Sequence, residues 1–145
     1  MLRASLTVIG LTSFALFAGE TKVNMKDLPP AVQKTVQEET RNAKLKGLSK
    51  EVEHGQTFYE AETMVNGRSR DILIDSTGKV VEVEEQADLA AVPAAARQAF
   101  EKQGKVVKVE TSTKGSNVTY EAVVMKNGKK SEVAVNADGS AAKEN

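Results

Sequence analysis

The chain has 145 residues, 20 Lys and Arg against 20 Asp and Glu, no cysteine and no tryptophan. That length fits one compact domain, or two small halves sharing a core. Zero net charge excludes a protein built to neutralise a phosphate backbone. The lack of Cys excludes disulfide staples, and so few aromatics leave no set of stacking platforms for nucleic acid.

Residues 1–19 read as a secretory signal peptide. Arg3 gives the positive start, residues 4–17 carry no charge, and Ala18 and Gly19 are small residues suited to a signal peptidase. The run is short for a membrane span, which needs about 20 apolar residues. The expected product is periplasmic or secreted and keeps no stable membrane anchor after cleavage. No Cys follows the apolar run, so lipid attachment through an N-terminal Cys is excluded.

Residues 20–26 read as a linker. Leu28-Pro29-Pro30 then opens a helix, since Pro is tolerated in a first turn where its missing N–H costs nothing. Ala31, Val32, Thr35, Val36 and Glu39 follow helical spacing. Leu48 to Glu53 is a weak strand pattern, and Glu53-His54-Gly55-Gln56 a strand-to-strand turn. Asn66-Gly67 sits between alternating runs and marks a hairpin, because both central turn residues need positive φ. Its two-residue loop sets Tyr59 opposite Ile74 and Ala61 opposite Ile72. Asp75-Ser76-Thr77-Gly78 reads as a turn leading into the strand Lys79 to Glu84.

The pattern then returns. Val92-Pro93 opens a second helix, with Ala95, Ala96, Ala99 and Phe100 in the places of Ala31, Val32, Thr35 and Val36. Val107, Val109 and Thr111 alternate as a half-buried strand should. Asn127-Gly128 marks a second hairpin, with Tyr120 opposite Val135 and Ala122 opposite Val133, and Asn136 to Gly139 repeats the turn. The strand features recur at a fixed offset (120 − 59 = 61; 139 − 78 = 61), whereas the helices recur at 64 (93 − 29 = 64). The first copy therefore carries three extra residues, expected within Thr40 to Gly47. The last strand, Ser140 to Glu144, is weak. The expected fold class is α+β: two tandem helix-plus-antiparallel-sheet repeats (αββββ each), residues 27–87 and 88–145, with helices packed on one sheet face. Pro29, Pro93, Tyr59, Tyr120, Gly67, Gly128, Gly78 and Gly139 are its structural markers.

Leu-Pro-x-x-Val before a short helix, a Tyr-Glu strand, a Gly hairpin, an apolar-x-apolar-Asp run and a closing Gly resemble the PepSY-like family. The chain is most similar to its β-lactamase-inhibitor-like branch of exported bacterial tandem-repeat proteins. The resemblance covers Asp27 to about Lys143. It implies a non-enzymatic exported module that binds or inhibits other envelope or extracellular proteins. It carries over no catalytic residues.

The residues themselves mark no catalytic centre. His54 is the only histidine and falls in a turn, no Ser is raised on a strained turn beside a base, and the turn glycines form no phosphate loop. Asp75 to Gly78 lacks the spaced acids and closing Glu of a calcium loop. No metal and no cofactor is expected.

The acids carry more information. With Tyr59, Ala61, Ile72 and Ile74 facing the helix, the opposite face shows Glu60, Glu62, Asp71 and Leu73, and a four-residue turn adds Val80, Glu82 and Glu84. Glu62 then lies opposite Asp71, with Glu82 beside it. Like charges opposite one another cost roughly 0.2–1 kcal/mol per pair. The equivalent second face, with Glu121, Val123, Glu132, Ala134, Met125 and Lys130, is milder. The seven residues of the first face, Glu60, Glu62, Asp71, Leu73, Val80, Glu82 and Glu84, are the candidate partner-binding set, offered to a protein or peptide in the envelope or extracellular space. The plainer alternative is a solvated face neutralised by Arg68, Arg70 or another strand. A cation or small-ligand protein using the same acids is the second functional reading, and a hydrolase the third. Glycosidic chemistry needs a cleft and a raised pKa, which an open sheet face is not expected to supply. The C-terminal sheet edge is a further route for an added strand.

Overall fold

Two ten-residue α-helices, α1 (Pro30–Glu39) and α2 (Ala94–Gln103), pack on a sheet of eight strands. The structure is a computed structural model describing residues 20–143, and the segment read as a signal peptide lies outside the described residues. The strands are β1 (Thr21–Lys22), β2 (Lys44–Glu53), β3 (Gln56–Val65), β4 (Arg68–Asp75), β5 (Val80–Gln86), β6 (Lys105–Lys114), β7 (Asn117–Lys126) and β8 (Lys129–Val135). They lie in sequence order and every pairing is antiparallel.

This corrects the expected pair of αββββ repeats. The fold is β-rich and built on one sheet. Pairing of Val83–Gln86 with Glu110–Thr113 runs hydrogen bonding through from the first half into the second. Among the described residues the second half shows no full fourth strand, because Val135 and Ala141 form only an isolated bridge where Ile74 pairs with Val80 in the first. At the other edge, Thr21 and Lys22 are strand and not linker, pairing with Lys50 and Ser49.

Local chemistry explains the elements. Each helix begins after a proline N-cap, Pro29 or Pro93, with no side-chain cap bond. A short 3-10 turn precedes each and sets Leu28 and Val92 into the core. Four residues, Thr40–Ala43, link α1 to β2, whereas Gly104 alone links α2 to β6, which places the three-residue surplus. Asn66 and Gly67, like Asn127 and Gly128, all take positive φ. Their hairpins set Tyr59 against Ile74 and Ala61 against Ile72, and Tyr120 against Val135 and Ala122 against Val133.

Two apolar clusters fill the helix side. Leu28, Val32 and Val36 meet Tyr59, Ala61, Ile72 and Ile74 in the first. Val92, Ala96 and Phe100 meet Val109, Ala122, Val124 and Val135 in the second. Gly78 (φ 87°) and Gly139 (φ 80°) press against the first turns of the helices: an added Cβ would lie 2.7 Å from the carbonyl oxygens of Ala31 and Ala95. Three β-bulges re-aim the strands, at Leu45/Gly47, Val106/Lys108 and Leu73/Ile74.

Candidate functional site: the open face of the sheet

Side chains alternate along a strand, so the residues between the core positions form the face opposite the helices. Register places Gly47, Glu62, Asp71, Glu84 and Ser112 side by side on β2 to β6. A second row holds Ser49, Glu60, Leu73 and Glu82. Beyond them Glu110 faces Glu121. Of the expected set, Glu60, Glu62, Asp71, Leu73, Glu82 and Glu84 share this face. Val80 does not. The turn closes one residue later than expected, with the Asp75 amide donating to the Lys79 carbonyl, and so sets Val80 against Ile74, on the helix side, where it packs on the first core. The bulge at Leu73/Ile74 adds a second one-residue shift, so that Glu84, in place of Glu82, lies opposite Asp71, and Glu82 lies opposite Leu73.

Arg68 and Arg70 do not neutralise these acids. Both point to the helix side: Arg70 bridges Glu39 on α1 (2.9 Å) and Glu85 (3.4 Å), and Arg68 pairs with Asp88 (2.7 Å). Two cations of β6 reach the acids of the open face: Lys114 meets Glu82 at 3.3 Å and Lys108 meets Glu110 at 2.5 Å. Ser112 donates to Glu82 (2.5 Å), Ser69 to Glu110 (3.4 Å), and the Thr63 amide to Asp71 (3.3 Å).

Crowding withdraws these acids from water. Burial, then the charge of Asp71, raises Glu60 to about 7. Burial, then Glu121, raises Glu84 to about 8. Burial also raises Asp71, against the opposing pull of the Thr63 amide, and raises Glu51, on which Glu53 and Glu20 act next. The expectation that an open face leaves carboxyls unperturbed is therefore corrected. Eight strands of closely set polar side chains desolvate one another without a lid. By contrast, Asp75 is held low by the Thr77 hydroxyl (2.6 Å) within its own turn. His54 stands 92% exposed in its turn, 3.7 Å from Glu53.

Two carboxylate triads bring ligand atoms within 4.8 Å of one another: Glu20, Glu60 and Glu62, and Glu82, Glu84 and Glu121. Sequence reasoning missed Glu20, Glu51 and Glu110 as members of this face. The alternation Ser49, Glu51, Glu53 in the weak strand was a usable signal for Glu51. Nothing local foretold that β5 and β6 would pair and merge the two halves' acids. Among the described residues no helix is long and apolar enough to cross a membrane.

No protein-family model matches the chain, and no curated protein matches it. Several solved structures do. A protein of Bacteroides eggerthii provisionally described as periplasmic is 19% identical, with a TM-score of 0.65 over 80% of this chain and 86% of that one. A DUF2874 family protein of Bacteroides ovatus is 18% identical, with a TM-score of 0.61 over 80% and 85%. A BLIP-like protein of Bacteroides fragilis is 21% identical, with a TM-score of 0.57 over 81% and 86%. At these identities the likeness shows a shared fold. It fits the BLIP-like side of the resemblance, and none of these neighbours carries the PepSY-like name.

Proposed function

We propose that the chain is a non-enzymatic, exported binding module, inhibitor-like in kind, that presents its open sheet face to a basic segment of a partner protein in the periplasm or outside the cell. One observation carries this reading: Glu62, Asp71 and Glu84 stand in register on three neighbouring strands, flanked by Glu60 and Glu82. Crowding holds Glu84 and Glu60 toward their protonated forms, and a cationic partner favours the ionised row while gaining charge-assisted hydrogen bonds. Leu73, between Glu60 and Glu82 in the adjacent row, adds an apolar contact. The signal-like leader, the PepSY-like resemblance and the description of the B. eggerthii neighbour as periplasmic support export.

The test is a photo-reactive residue at position 73 in cells of the producing organism. The crosslinked partner is then purified and titrated. The reading expects a partner with a basic contact segment, and an affinity that falls about tenfold or more on Glu62→Gln with Asp71→Gln and also falls with salt. Equal affinity for that variant sinks it.

A second reading, a cation-holding protein, has the two carboxylate triads in its favour. If neither calcium nor magnesium at millimolar levels moves the melting temperature, that reading falls.

A further inference from the structure

We propose that the free edge of β8 pairs antiparallel with β8 of a second copy, about a two-fold axis at Ser131, and joins the two sheets into one. This goes beyond the readings above, which concern the open face and need one copy only.

Three features lead there. First, the outer side of β8 is open. β8 ends the strand order. Among the described residues it is met from outside only at its end, where Val135 bridges Ala141 and the Ala142 amide donates to the Ala134 carbonyl (3.1 Å). That bond shows the backbone groups of Ala134 turned outward, and alternation turns those of Lys130 and Glu132 the same way. The stretch Lys129–Val133 is left open. In the first half the matching side of β4 is filled by β5, so this fold takes a strand at that place.

Second, β8 lacks the devices that keep the other edge single. There β1 has two residues, and β2 carries a bulge at Leu45/Gly47. β8 pairs with β7 from Tyr120–Val135 to Lys126–Lys129 without a shift, and it contains no proline.

Third, charge selects both occupant and register. Lys129 and Lys130 are exposed, and Lys130 makes no ion pair among the described residues. Lysines on an edge turn stray strands away. Outward-turned residues must face each other to exchange hydrogen bonds, so a two-fold axis that uses most of the open stretch lies at Lys130, Ser131 or Glu132. At Lys130 or Glu132 it sets like charges opposite one another, which is unfavourable. At Ser131 it sets Lys130 opposite the partner's Glu132, and Glu132 opposite the partner's Lys130, with paired backbone hydrogen bonds at both places. Glu132 already interacts within its own chain, and the partner's Lys130 adds to that. Lys129 then meets the partner's Val133, and the partner strand stops where Ala142 begins. The axis stands upright to the sheet, so both open faces look the same way and both acid rows lie on one side.

The experiment uses the full chain, expressed and processed in its producing cells. Sedimentation velocity should show a dimer at concentrations on the order of 100 µM, as suits a small edge contact. Lys130→Glu and Glu132→Lys should each weaken it about tenfold or more. An equimolar mixture of those two variants should restore it, since each supplies the charge that the other lacks. Ser131→Cys tests the register. Residues facing each other in a non-hydrogen-bonded pair stand about 4.5 Å apart at Cα, within disulfide reach, and the chain has no other Cys. A disulfide dimer should form in mild oxidant. Lys129→Cys should form none, because its two copies stand about 13 Å apart along the strands. The substituted side chains are exposed or half-buried, and melting temperatures check that each variant folds. A monomer at every concentration overturns the proposal. So does a dimer that Lys130→Glu leaves intact, a mixture that stays monomeric, or equal crosslinking at positions 129 and 131.

Discussion

The two halves agree on one face of the sheet and disagree on the other. On the helix side Leu28, Val32 and Val36 correspond to Val92, Ala96 and Phe100, and Thr63, Ile72 and Ile74 to Val124, Val133 and Val135. The residues change but remain small or apolar. Phe100 enlarges the helix contribution where the strands give up volume. On the open side Gly47 corresponds to Lys108, Glu51 to Ser112, Glu62 to Val123 and Leu73 to Ala134. A sheet needs its buried face filled and leaves the other free. The acid row of the first half is thus no requirement of the fold, since the second half builds the same hairpin with Val123 and Lys108.

The largest effect should come from breaking the unequal cores. Phe100→Ala removes a fully buried ring and is expected to cost about 3–5 kcal/mol. Val36→Ala at the matching place should cost roughly 2 kcal/mol. Urea unfolding with unchanged m-values measures both. Equal losses would mean that volume is shared differently from the packing described.

The glycine contacts should behave alike in the two halves. Gly78→Ala and Gly139→Ala each combine positive φ with a Cβ 2.7 Å from a helix carbonyl, and each should cost about 2–3 kcal/mol. Gly67→Ala has positive φ but open space around it, so about 1 kcal/mol is expected. If Gly78→Ala cost no more than Gly67→Ala, the close helix approach would be wrong.

A smaller effect sharpens the contrast on the open face. Glu84 rises from 4.5 to about 8, so the folded state binds its proton more tightly than the unfolded chain does. Its stabilising contribution is complete below pH 4.5 and is lost as pH climbs through about 8. Glu84→Gln should therefore melt with the wild type at pH 4.5 and above it at pH 9. A melting series from pH 4 to 9 decides this. A variant less stable at pH 9 would show that Glu84 is held as a carboxylate.

Local chemistry made part of this legible. Asn-Gly turns fixed both hairpin registers, because a two-residue loop leaves one pairing. Proline marked both helix starts, and the offsets of 61 and 64 located the longer α1–β2 link. What escaped was non-local. The β5–β6 seam depends on pairing Val83–Gln86 with Glu110–Thr113 across an intervening helix, so two expected sheets became one. β1 is two residues with no alternation to read. Neither the closure of the turn at Lys79, which moved Val80 to the core, nor the Leu73/Ile74 bulge, which together with it exchanged Glu82 for Glu84 beside Asp71, carries a sequence mark. Burial of Glu51 follows from its neighbours and not from its own strand.

The smallest expected effect concerns His54. It occupies the first place of a two-residue turn with φ 48°, and in the second half that place belongs to Gly115 with φ 60°. Left-handed geometry costs a non-glycine residue roughly 1–2 kcal/mol, and glycine almost nothing. Alanine bears the same cost as histidine, so His54→Ala should change stability by no more than about 0.5 kcal/mol. His54→Gly should gain up to about 1 kcal/mol and bring the first turn nearer the second. A ring that is 92% exposed has no packing to lose in either variant. If His54→Gly lost stability instead, the ring would have to make a contact that its 3.7 Å approach to Glu53 does not account for.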